Sequence, residues 1–262
     1  MRERPGVAAA AMVAAAVAAM LAVLVGARVA RGGESLVAVS LPAGGAVVAP
    51  NAPVVLEASD SVDRLTVTAR VGKKVVAADL ERWPELGGER AGSYYLLRPK
   101  APWGAGAAIG LTVSVYPGKL SAKVGAERDT APPVAGAIST PRLLKGKTRY
   151  GTEEEHLLVE LGPMKDAAPI VCIRLRLVDA PAAAAGRDAR PVEVEGATPA
   201  GVASLFSLAS ATPTCVAAGA VVDPSGNLAA LPAAACAKGL PAALTKPVAR
   251  PCAPRAYDDT DL

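Results

Sequence analysis

Four cysteines are the residues of this chain whose type and spacing point most directly to a chemistry. They are Cys172, Cys215, Cys236 and Cys252, all in the C-terminal half of a sequence of 262 residues. A zinc site built on cysteine needs close pairs such as C-x-x-C, and none of the four forms one. An even number of widely spaced cysteines is typical of disulfide-bonded proteins in an oxidising compartment. We therefore expect two disulfides, no metal and an exported protein.

A turn sequence between two of the cysteines favours one pairing. Residues 223–227, Asp-Pro-Ser-Gly-Asn, form a strong turn signal because proline fixes φ and glycine or asparagine tolerates positive φ. A hairpin centred on Ser225 places Cys215 roughly opposite Cys236, near enough for a disulfide. We expect that pair to be bonded.

Cys172 and Cys252 then remain as the second pair. At 172–177, apolar Ile, Leu and Leu alternate with Cys, Arg and Arg, so Cys172 shares a face with the two arginines and is predicted to point outward. The C-terminal tail, which carries Cys252, can reach an outward cysteine. Four cysteines allow three connectivities, and the one ranked second, Cys172 with Cys215 and Cys236 with Cys252, stays open.

The single histidine, His156, restricts the catalytic chemistry that the chain can support. A serine or cysteine nucleophile would have only this imidazole as its base, and no G-x-S-x-G elbow occurs. Three glutamates at 153–155 precede it, but adjacent residues of a strand point to opposite faces, which indicates a solvated strand rather than a metal cluster. The glycines at 104–110 lead into a predicted strand, whereas those of a dinucleotide-binding loop lead into a helix. We expect no enzyme activity, no catalytic residues and no cofactor.

Two tryptophans are the remaining candidates for a binding site. Trp83 lies between Arg and Pro, and Trp103 between Pro and Gly, which are loop-like settings. Exposed aromatic rings on the loops of a β-domain can stack on sugars, so a glycan-binding module using these two residues is the alternative function. The favoured interpretation is that both rings cover the end of a core that is otherwise poor in aromatic residues.

The N-terminus carries a targeting pattern. A charged start, Met1–Arg4, precedes an uncharged run at 6–27 that is mostly Ala and Val and ends in Val-Gly-Ala. These features predict a secretory signal peptide, residues 1–27, cleaved before Arg28. An uncleaved inner-membrane anchor through 6–27 is the alternative, because the run reaches the roughly 20 residues that span a bilayer. Both alternatives predict export, to the periplasm or the cell surface.

Composition excludes one class of partner. The net charge is +4, and no cluster of Lys and Arg with interleaved aromatic residues occurs, so nucleic acid is not an expected partner. Removing the signal leaves about 235 residues, enough for two small domains. Aromatic residues make up 3% of the chain, so the cores must consist mainly of Val, Leu, Ala and Ile.

Hydrophobic alternation predicts the elements that position these residues. At 64–71 apolar residues alternate with Arg and Thr, which indicates a half-buried antiparallel strand. Further strands are predicted at 93–98, 111–116, 157–161 and 172–177. Turn signals separate these short strands, so the predicted fold class is all-β, with two tandem β-sandwich domains after the N-terminal segment.

The predicted domain boundaries follow the turn signals and the composition. A first sandwich is expected at 36–117, where Pro117 ends the last strand, and a polar linker at 118–133. The second sandwich is expected at 134–240, with a mobile loop in the low-complexity stretch 180–191. Residues 241–262, which are rich in proline and end in acidic residues, are expected to form a disordered tail.

The first predicted sandwich resembles the bacterial Ig-like domains of surface-layer and other envelope proteins. The resemblance covers residues 38–116 and rests on the turn Pro-Ala-Gly-Gly at 42–45, a second turn at 50–53 and the step Ser-Val-Asp at 61–63. It implies an Ig-like sandwich located in the cell envelope. The same opening is similar to the periplasmic copper carriers, but the histidine ligands of that family are absent between Arg28 and Ser40.

The second predicted sandwich resembles the fibronectin type III-like domains of bacterial exported proteins. The matching residues are 129–133, Asp-Thr-Ala-Pro-Pro, and 221–227, where a strand ends in Asp-Pro-Ser-Gly-Asn. A fold resemblance alone says little about activity. With the export pattern, the two resemblances imply a non-enzymatic cell-envelope protein that acts as an adhesion, scaffold or spacer module. An envelope protein or a polysaccharide is the expected partner.

Overall fold

A computed structural model of the chain describes residues 38–58, 65–86, 93–114, 116–147, 153–186, 190–209, 214–231 and 239–253. These residues form sixteen strands and one short helix, which confirms the all-β class. The predicted signal peptide or anchor, residues 1–27, lies outside the described residues. In the described part of the chain, no helix has the length and the apolar character needed to cross a membrane.

Nine strands make up the N-terminal half: β1 (Val39–Ser40), β2 (Val47–Val48), β3 (Val54–Ala58), β4 (Val67–Val71), β5 (Lys74–Val76), β6 (Ala78–Pro84), β7 (Ser93–Pro99), β8 (Ala108–Val113) and β9 (Tyr116–Val124). They form a four-stranded sheet in the order β1-β3-β7-β6 and a five-stranded sheet in the order β2-β9-β8-β4-β5. All pairs are antiparallel except β2 and β9, which are parallel. These two sheets are called the first sheet pair below.

The core of the first sheet pair lies between its two sheets. The alternation predicted at 64–71 is confirmed from residue 65 onward, because Leu65 and Ala69 are buried while Thr68 and Arg70 are exposed. Removing apolar side chains from water is the main force that holds such facing sheets together. Both sheets contribute to the cluster, which includes Val54, Leu56, Leu97, Ile109, Leu111 and Val124.

The first sheet pair extends beyond its predicted end. Residues 118–124, which were expected to begin a linker, belong to β9 and continue the five-stranded sheet. Pro117 does not end the pairing because it lies in the irregular stretch of the β8–β9 ladder that precedes Leu120, where a regular N–H donor is not required. Val124 then returns to the core. The boundary predicted at residue 117 is therefore corrected to Val124.

Seven strands make up the C-terminal half: β10 (Arg142–Lys147), β11 (Glu153–Leu161), β12 (Ile170–Val178), β13 (Val192–Pro199), β14 (Ser204–Ala209), β15 (Cys215–Val222) and β16 (Leu228–Leu231). They form a three-stranded sheet, β10-β11-β14, and a four-stranded sheet, β13-β12-β15-β16, both antiparallel. These two sheets are called the second sheet pair.

The core of the second sheet pair follows the predicted alternations. Every second residue of the stretches 157–161 and 172–177 is buried in one cluster between the sheets. The hairpin predicted around Ser225 is also present, with Val222 paired to Leu228 and Gly219 to Leu231. The apolar residues that confirm the two alternations are Leu157, Val159, Leu161, Ile173, Leu175 and Leu177.

The low-complexity stretch at 180–191 is not a loop throughout. A five-residue helix, α1 (Ala180–Ala184), begins after Asp179, whose Oδ1 accepts a hydrogen bond from the Ala182 N–H at 3.3 Å. Pro181 suits the first turn because its missing N–H has no partner to lose there. The prediction of a mobile loop is therefore wrong for these five residues. A helix of five residues is too short to show a helical period in the sequence.

Part of the expected disordered tail is packed against the rest of the protein. Val248 and Cys252 are buried, and the Arg176 guanidinium donates to the Lys246 carbonyl oxygen at 3.0 Å. Cys252 adopts a φ of 44°, a left-handed conformation that residues other than glycine seldom adopt. Its N–H donates to the Glu195 carboxylate at 2.9 Å and its side chain is disulfide-bonded, so the backbone is held on both sides. The prediction of disorder is thus corrected for 241–253, and residues 254–262 lie outside the described residues.

Candidate functional site

The two sheet pairs share a buried apolar cluster. It lies between the β1-β3-β7-β6 sheet and the β13-β12-β15-β16 sheet, on the faces that point away from their own cores. Such outward faces are normally the polar side of a sandwich. Here they pack together as an additional interior. We call this the junction cluster; it consists of Val55, Trp83, Tyr94, Leu96, Ile170, Cys172, Ala197, Val222 and Cys252.

A backbone contact ties the two sheet pairs together beside this cluster. The chain leaving β6 forms a parallel bridge between Glu85 and Ala197 of β13, and the Leu86 N–H donates to the Ala197 carbonyl oxygen at 2.8 Å. The Leu86 side chain packs into the core of the second sheet pair. Gly196 permits this approach, because a Cβ at that position would lie 2.5 Å from the Leu86 backbone. The outer edge of β13 is therefore partly covered by the first sheet pair.

Polar groups continue the junction around its rim. Asn51 and Asp129 exchange two hydrogen bonds, with Asn51 Nδ2 donating to the Asp129 carbonyl oxygen at 2.6 Å and the Asp129 N–H donating to Asn51 Oδ1 at 2.8 Å. The Arg98 guanidinium binds Glu81 at 2.7 Å and donates to the Pro224 carbonyl oxygen at 3.1 Å. The Arg98–Pro224 bond links the two sheet pairs directly, and the Asn51–Asp129 pair holds the segment after β9 against the first sheet pair.

Both tryptophans proposed as ligand-binding residues are buried. Trp103 is 4% exposed, packs in the core of the first sheet pair, and donates from Nε1 to the Ala52 carbonyl oxygen at 2.9 Å. Trp83 is 3% exposed and lies in β6 rather than in a loop, within the junction cluster. Its Nε1 is buried and has no hydrogen-bond partner. Neither ring offers a face for stacking on a sugar, so the glycan-binding alternative gains no support from them.

The disulfide pairing favoured for Cys172 is present. Cys172 and Cys252 are bonded, with their Cα atoms 6.1 Å apart. Cys172 does occupy the face opposite the core, but it is fully buried rather than outward, because the first sheet pair covers that face. The carboxylate of Glu195 lies beside the two sulfurs, which as a disulfide are not thiolate ligands for a metal.

The second predicted disulfide is described only in part. Cys215 is buried and disulfide-bonded. Cys236, its predicted partner, lies outside the described residues, so that pairing stays a prediction. His156 lies in β11, where its backbone is opposite Leu144 and Ala209, and the three preceding glutamates lie in the same strand.

Three carboxylates that no sequence pattern predicted to lie together meet at one end of the junction. Asp129, Asp166 and Asp223 come from three separate connecting segments, yet carboxylate oxygens of all three lie within 4.8 Å of one another. Burial raises the pKa of Asp166 to about 6, and the charges of Asp223 and Asp129 add to the shift. Burial also raises the pKa of Asp223, whose residue is fully buried. The group of three is called the aspartate cluster below.

Protein donors already occupy much of the aspartate cluster. Asp223 Oδ1 accepts from the N–H groups of Gly226 and Asn227, at 2.6 and 2.9 Å, and its Oδ2 accepts from Asn227 Nδ2 at 2.7 Å. Asp129 Oδ2 accepts from the Ser225 hydroxyl at 2.8 Å. Asp166 Oδ1 accepts from the Ala168 N–H at 2.7 Å. These bonds orient the carboxylates and order the turns that carry them.

The cluster has two possible chemical uses. It could supply some of the six to eight oxygen ligands that a calcium ion takes, or hold its turns together while presenting negative charge. The donors just described favour the second use. Asp129 and Asp223 each belong to a stretch that the sequence analysis singled out for other reasons, Asp166 belongs to none, and no spacing predicts that the three would meet.

A cleft of about 450 Å³ opens beside the aspartate cluster. One wall is formed by the turn before β2 and by the residues around β3, including Val47 and Pro53. The segment after β9, with Glu127 and Asp129, and the segment before β12, with Pro169, form the rest. We call it the junction cleft. Its lining combines apolar side chains with the two acidic residues Glu127 and Asp129.

No protein-family model matches this chain, and no curated protein matches it either.

Proposed function

We propose that this protein is a non-enzymatic, exported cell-envelope protein that acts as a stiff scaffold or spacer, with each sheet pair forming an Ig-like sandwich. The observation that carries the proposal is the junction cluster, in which nine buried residues from both sheet pairs and the tail share one interior. Contacts between independently moving domains are usually more polar. A chain whose two halves share an interior keeps a fixed spacing between its far surfaces, which is what a spacer requires.

The backbone contact at Ala197 supports stiffness independently of the apolar cluster. The Leu86–Ala197 hydrogen bond, together with the position of Leu86 in the second core, resists sliding of one sheet pair along the other. Separating the halves would expose the indole of Trp83 and the side chain of Leu86 to water at the same time. Hinge motion at this junction is therefore costly.

Two features support export. The disulfide between Cys172 and Cys252 is of a kind that persists in oxidising compartments. The N-terminal sequence, a charged start followed by the apolar run 6–27, has the composition of a secretory signal. In the reducing cytosol this bond would not persist, and the C-terminal segment would lose its covalent link to the rest of the protein.

The chemistry of the best-defined polar group supports a non-enzymatic role. The aspartate cluster receives hydrogen bonds from backbone, amide and hydroxyl donors of the turns that carry it. These hydrogen bonds order the turns that meet at the junction. A general acid or base would need a substrate proton within hydrogen-bonding reach.

The localisation part of the proposal is tested by fractionating cells that express the full chain and a variant lacking residues 1–27. We expect the full chain outside the cytoplasm, with Cys172–Cys252 oxidised, and the truncated chain in the cytoplasm. N-terminal sequencing of the exported form separates a cleaved signal, which leaves Arg28 first, from an anchor that keeps Met1. Export of the truncated chain would contradict the proposal.

The spacer part is tested by a distance measurement between the two sheets that do not form the junction. Spin labels carried on unnatural amino acids at Lys74 in β5 and Leu143 in β10 leave all four cysteines intact. We expect one narrow distance distribution in double electron–electron resonance. A variant with the junction opened, Trp83→Ala, should broaden it, and the exposed-site control Val75→Ala should not. A broad distribution in the unmodified protein would refute the spacer proposal.

A further inference from the structure

The junction cleft has the size of a small-molecule site. Its volume of about 450 Å³ falls within the range of roughly 300–1,000 Å³ that is usual for ligand pockets. It lies where two sheet pairs meet, a common location for such pockets. Gly44 contributes to keeping it open, since it has a φ of 83° and nothing lies within 4 Å of the position of a Cβ.

The walls of the cleft are mainly apolar. On one side lie Val47, Ala52 and Pro53, and on the other Ala167 and Pro169. Val47 is 61% exposed, the second-highest exposure among the large apolar side chains of the described residues. An apolar side chain left in water at the mouth of a cleft is stabilised when a ligand covers it. The walls therefore favour a ligand with an apolar body.

The charge of the cleft has one sign. Glu127 and Asp129 are the ionisable residues that line it, and both are acidic. Asp166 and Asp223 stand behind Asp129, with carboxylate oxygens within 4.8 Å, and add to the negative potential. Lys165 lines a smaller neighbouring cleft with Asp166 and does not line this one. Burial, and after it the charges of Asp223 and Asp129, raises the pKa of Asp166, and a nearby positive charge would favour the ionised carboxylates.

We infer that the junction cleft binds an organic cation, an ammonium or guanidinium group carried on an apolar body, with Asp129 and Glu127 holding the charge. A bare metal ion fits less well, because most of the lining residues are apolar and the aspartates already accept protein donors. An organic cation needs one or two charge-assisted hydrogen bonds, and its body covers the exposed apolar wall. The inference goes beyond the spacer role and does not depend on it.

Three probes of matched shape test the charge requirement: 4-phenylbutylamine, 4-phenylbutanol and 4-phenylbutanoate. Titration calorimetry on the full chain measures the affinity of each probe. NMR shifts of the Val47 and Ala168 amides show where the probe binds. We expect the amine to bind about tenfold or more tightly than the alcohol, the loss expected when a charge-assisted hydrogen bond is removed, and the carboxylate not to bind.

Four variants test the site. Asp129→Asn and Glu127→Gln should each weaken amine binding about tenfold, and Ala167→Trp, at an exposed lining position, should block it sterically. Asp79→Asn, an exposed carboxylate beside Lys100 and outside the cleft, is the matched control and should leave binding unchanged. Glu127 is exposed, so its variant should fold even if Asp129→Asn does not.

Three results would overturn the inference. They are equal binding of the amine and the alcohol, amine binding that survives both Glu127→Gln and Ala167→Trp, and binding of calcium chloride at this site with no binding of the amine.

Discussion

The two inner cores and the junction cluster are equally well buried, yet they are built from different kinds of position. In the cores, strands such as β8 alternate, with Ile109, Leu111 and Val113 buried and the residues between them exposed. Strand β7 shows no such alternation, because Leu97 faces the core of the first sheet pair while Leu96 faces the junction. Strand β15 is also buried along all eight residues, but the C-terminal tail covers much of its outer surface: Ala218 and Ala220 pack with Val248, and Val222 is its member of the junction cluster. Strands buried on both faces thus mark places where a second layer of protein covers a sheet.

This contrast explains which parts of the fold could be predicted from the sequence. The alternations at 64–71 and 157–161 have period two and indicated the inner cores correctly. The continuous apolar runs at 94–97 and 215–222 carried the signal for a second covering layer, since such runs are typical of strands covered on both sides. That layer is the other sheet pair for the first run and mainly the C-terminal tail for the second. Cys172 was placed on the right face but was expected to be outward, because alternation within one strand cannot reveal a second layer of protein.

The largest expected effect on stability comes from truncating a side chain of the junction cluster, because that cluster is a buried interior. Trp83→Ala should lower the free energy of unfolding by about 3–5 kcal/mol, as large-to-small substitutions in true cores do. Val75→Ala, at a side chain that is 52% exposed, is the control and should change it by less than about 0.5 kcal/mol. Chemical denaturation monitored by circular dichroism gives both values. A loss under about 1 kcal/mol for Trp83→Ala would mean that the junction is a loose contact.

Removing the disulfide between Cys172 and Cys252 should have the second-largest effect on stability. Its 80-residue separation restricts the unfolded chain, so replacing Cys172 and Cys252 together by alanine should cost about 2–4 kcal/mol. The substitution also frees the tail, so proteolysis should cleave the chain near Val248 in the variant and not in the unmodified protein. Mass spectrometry of limited digests checks this outcome. Equal protection of the tail in both proteins would show that packing alone holds it.

Substituting the glycine at the backbone contact should have a smaller and more local effect on stability. Gly196→Ala would place a Cβ 2.5 Å from the Leu86 backbone, so one of the two chains must shift, at an expected cost of about 1–3 kcal/mol. Gly104→Ala is the matched control, because nothing lies within 4 Å of its Cβ position. Thermal melting of both variants tests whether β6 and β13 touch as described. Similar melting temperatures for the two would contradict the contact.

The smallest effect concerns pH and the aspartate cluster. The pKa of Asp166 is raised from 3.8 to about 6, so the folded state holds its proton more tightly than the unfolded state does. This contribution to stability is present below the ordinary pKa and is lost as the pH rises from about 4 to about 6. Asp166→Asn removes the penalty while keeping an oxygen for the Ala168 N–H. After allowance for partial exposure, we expect the variant to gain about 1 kcal/mol at pH 7.5 and nothing at pH 3.5.

Denaturation at the two pH values measures this difference. A gain that is the same at both would show that the carboxyl of Asp166 is not crowded in the folded protein.

The candidate site was less predictable than the fold. Trp83 and Trp103 were singled out because proline and glycine flank them, but flanking residues do not report burial, and both rings are in the interior. The aspartate cluster and the junction cleft arise from segments such as those at Asp129 and Asp166 that are brought together only when the two sheet pairs pack. Such a site has no local spacing to detect, whereas the Asp223 turn did carry a local signal.

The most direct test of a shared interior is the cooperativity of unfolding. Differential scanning calorimetry on the oxidised full chain should show one transition, with a calorimetric enthalpy equal to the van't Hoff enthalpy, because the junction cluster couples the two sheet pairs. Trp83→Ala should split or broaden that transition, and Gly104→Ala should not. Two separate transitions in the unmodified protein, each with the enthalpy of one sheet pair, would contradict the account.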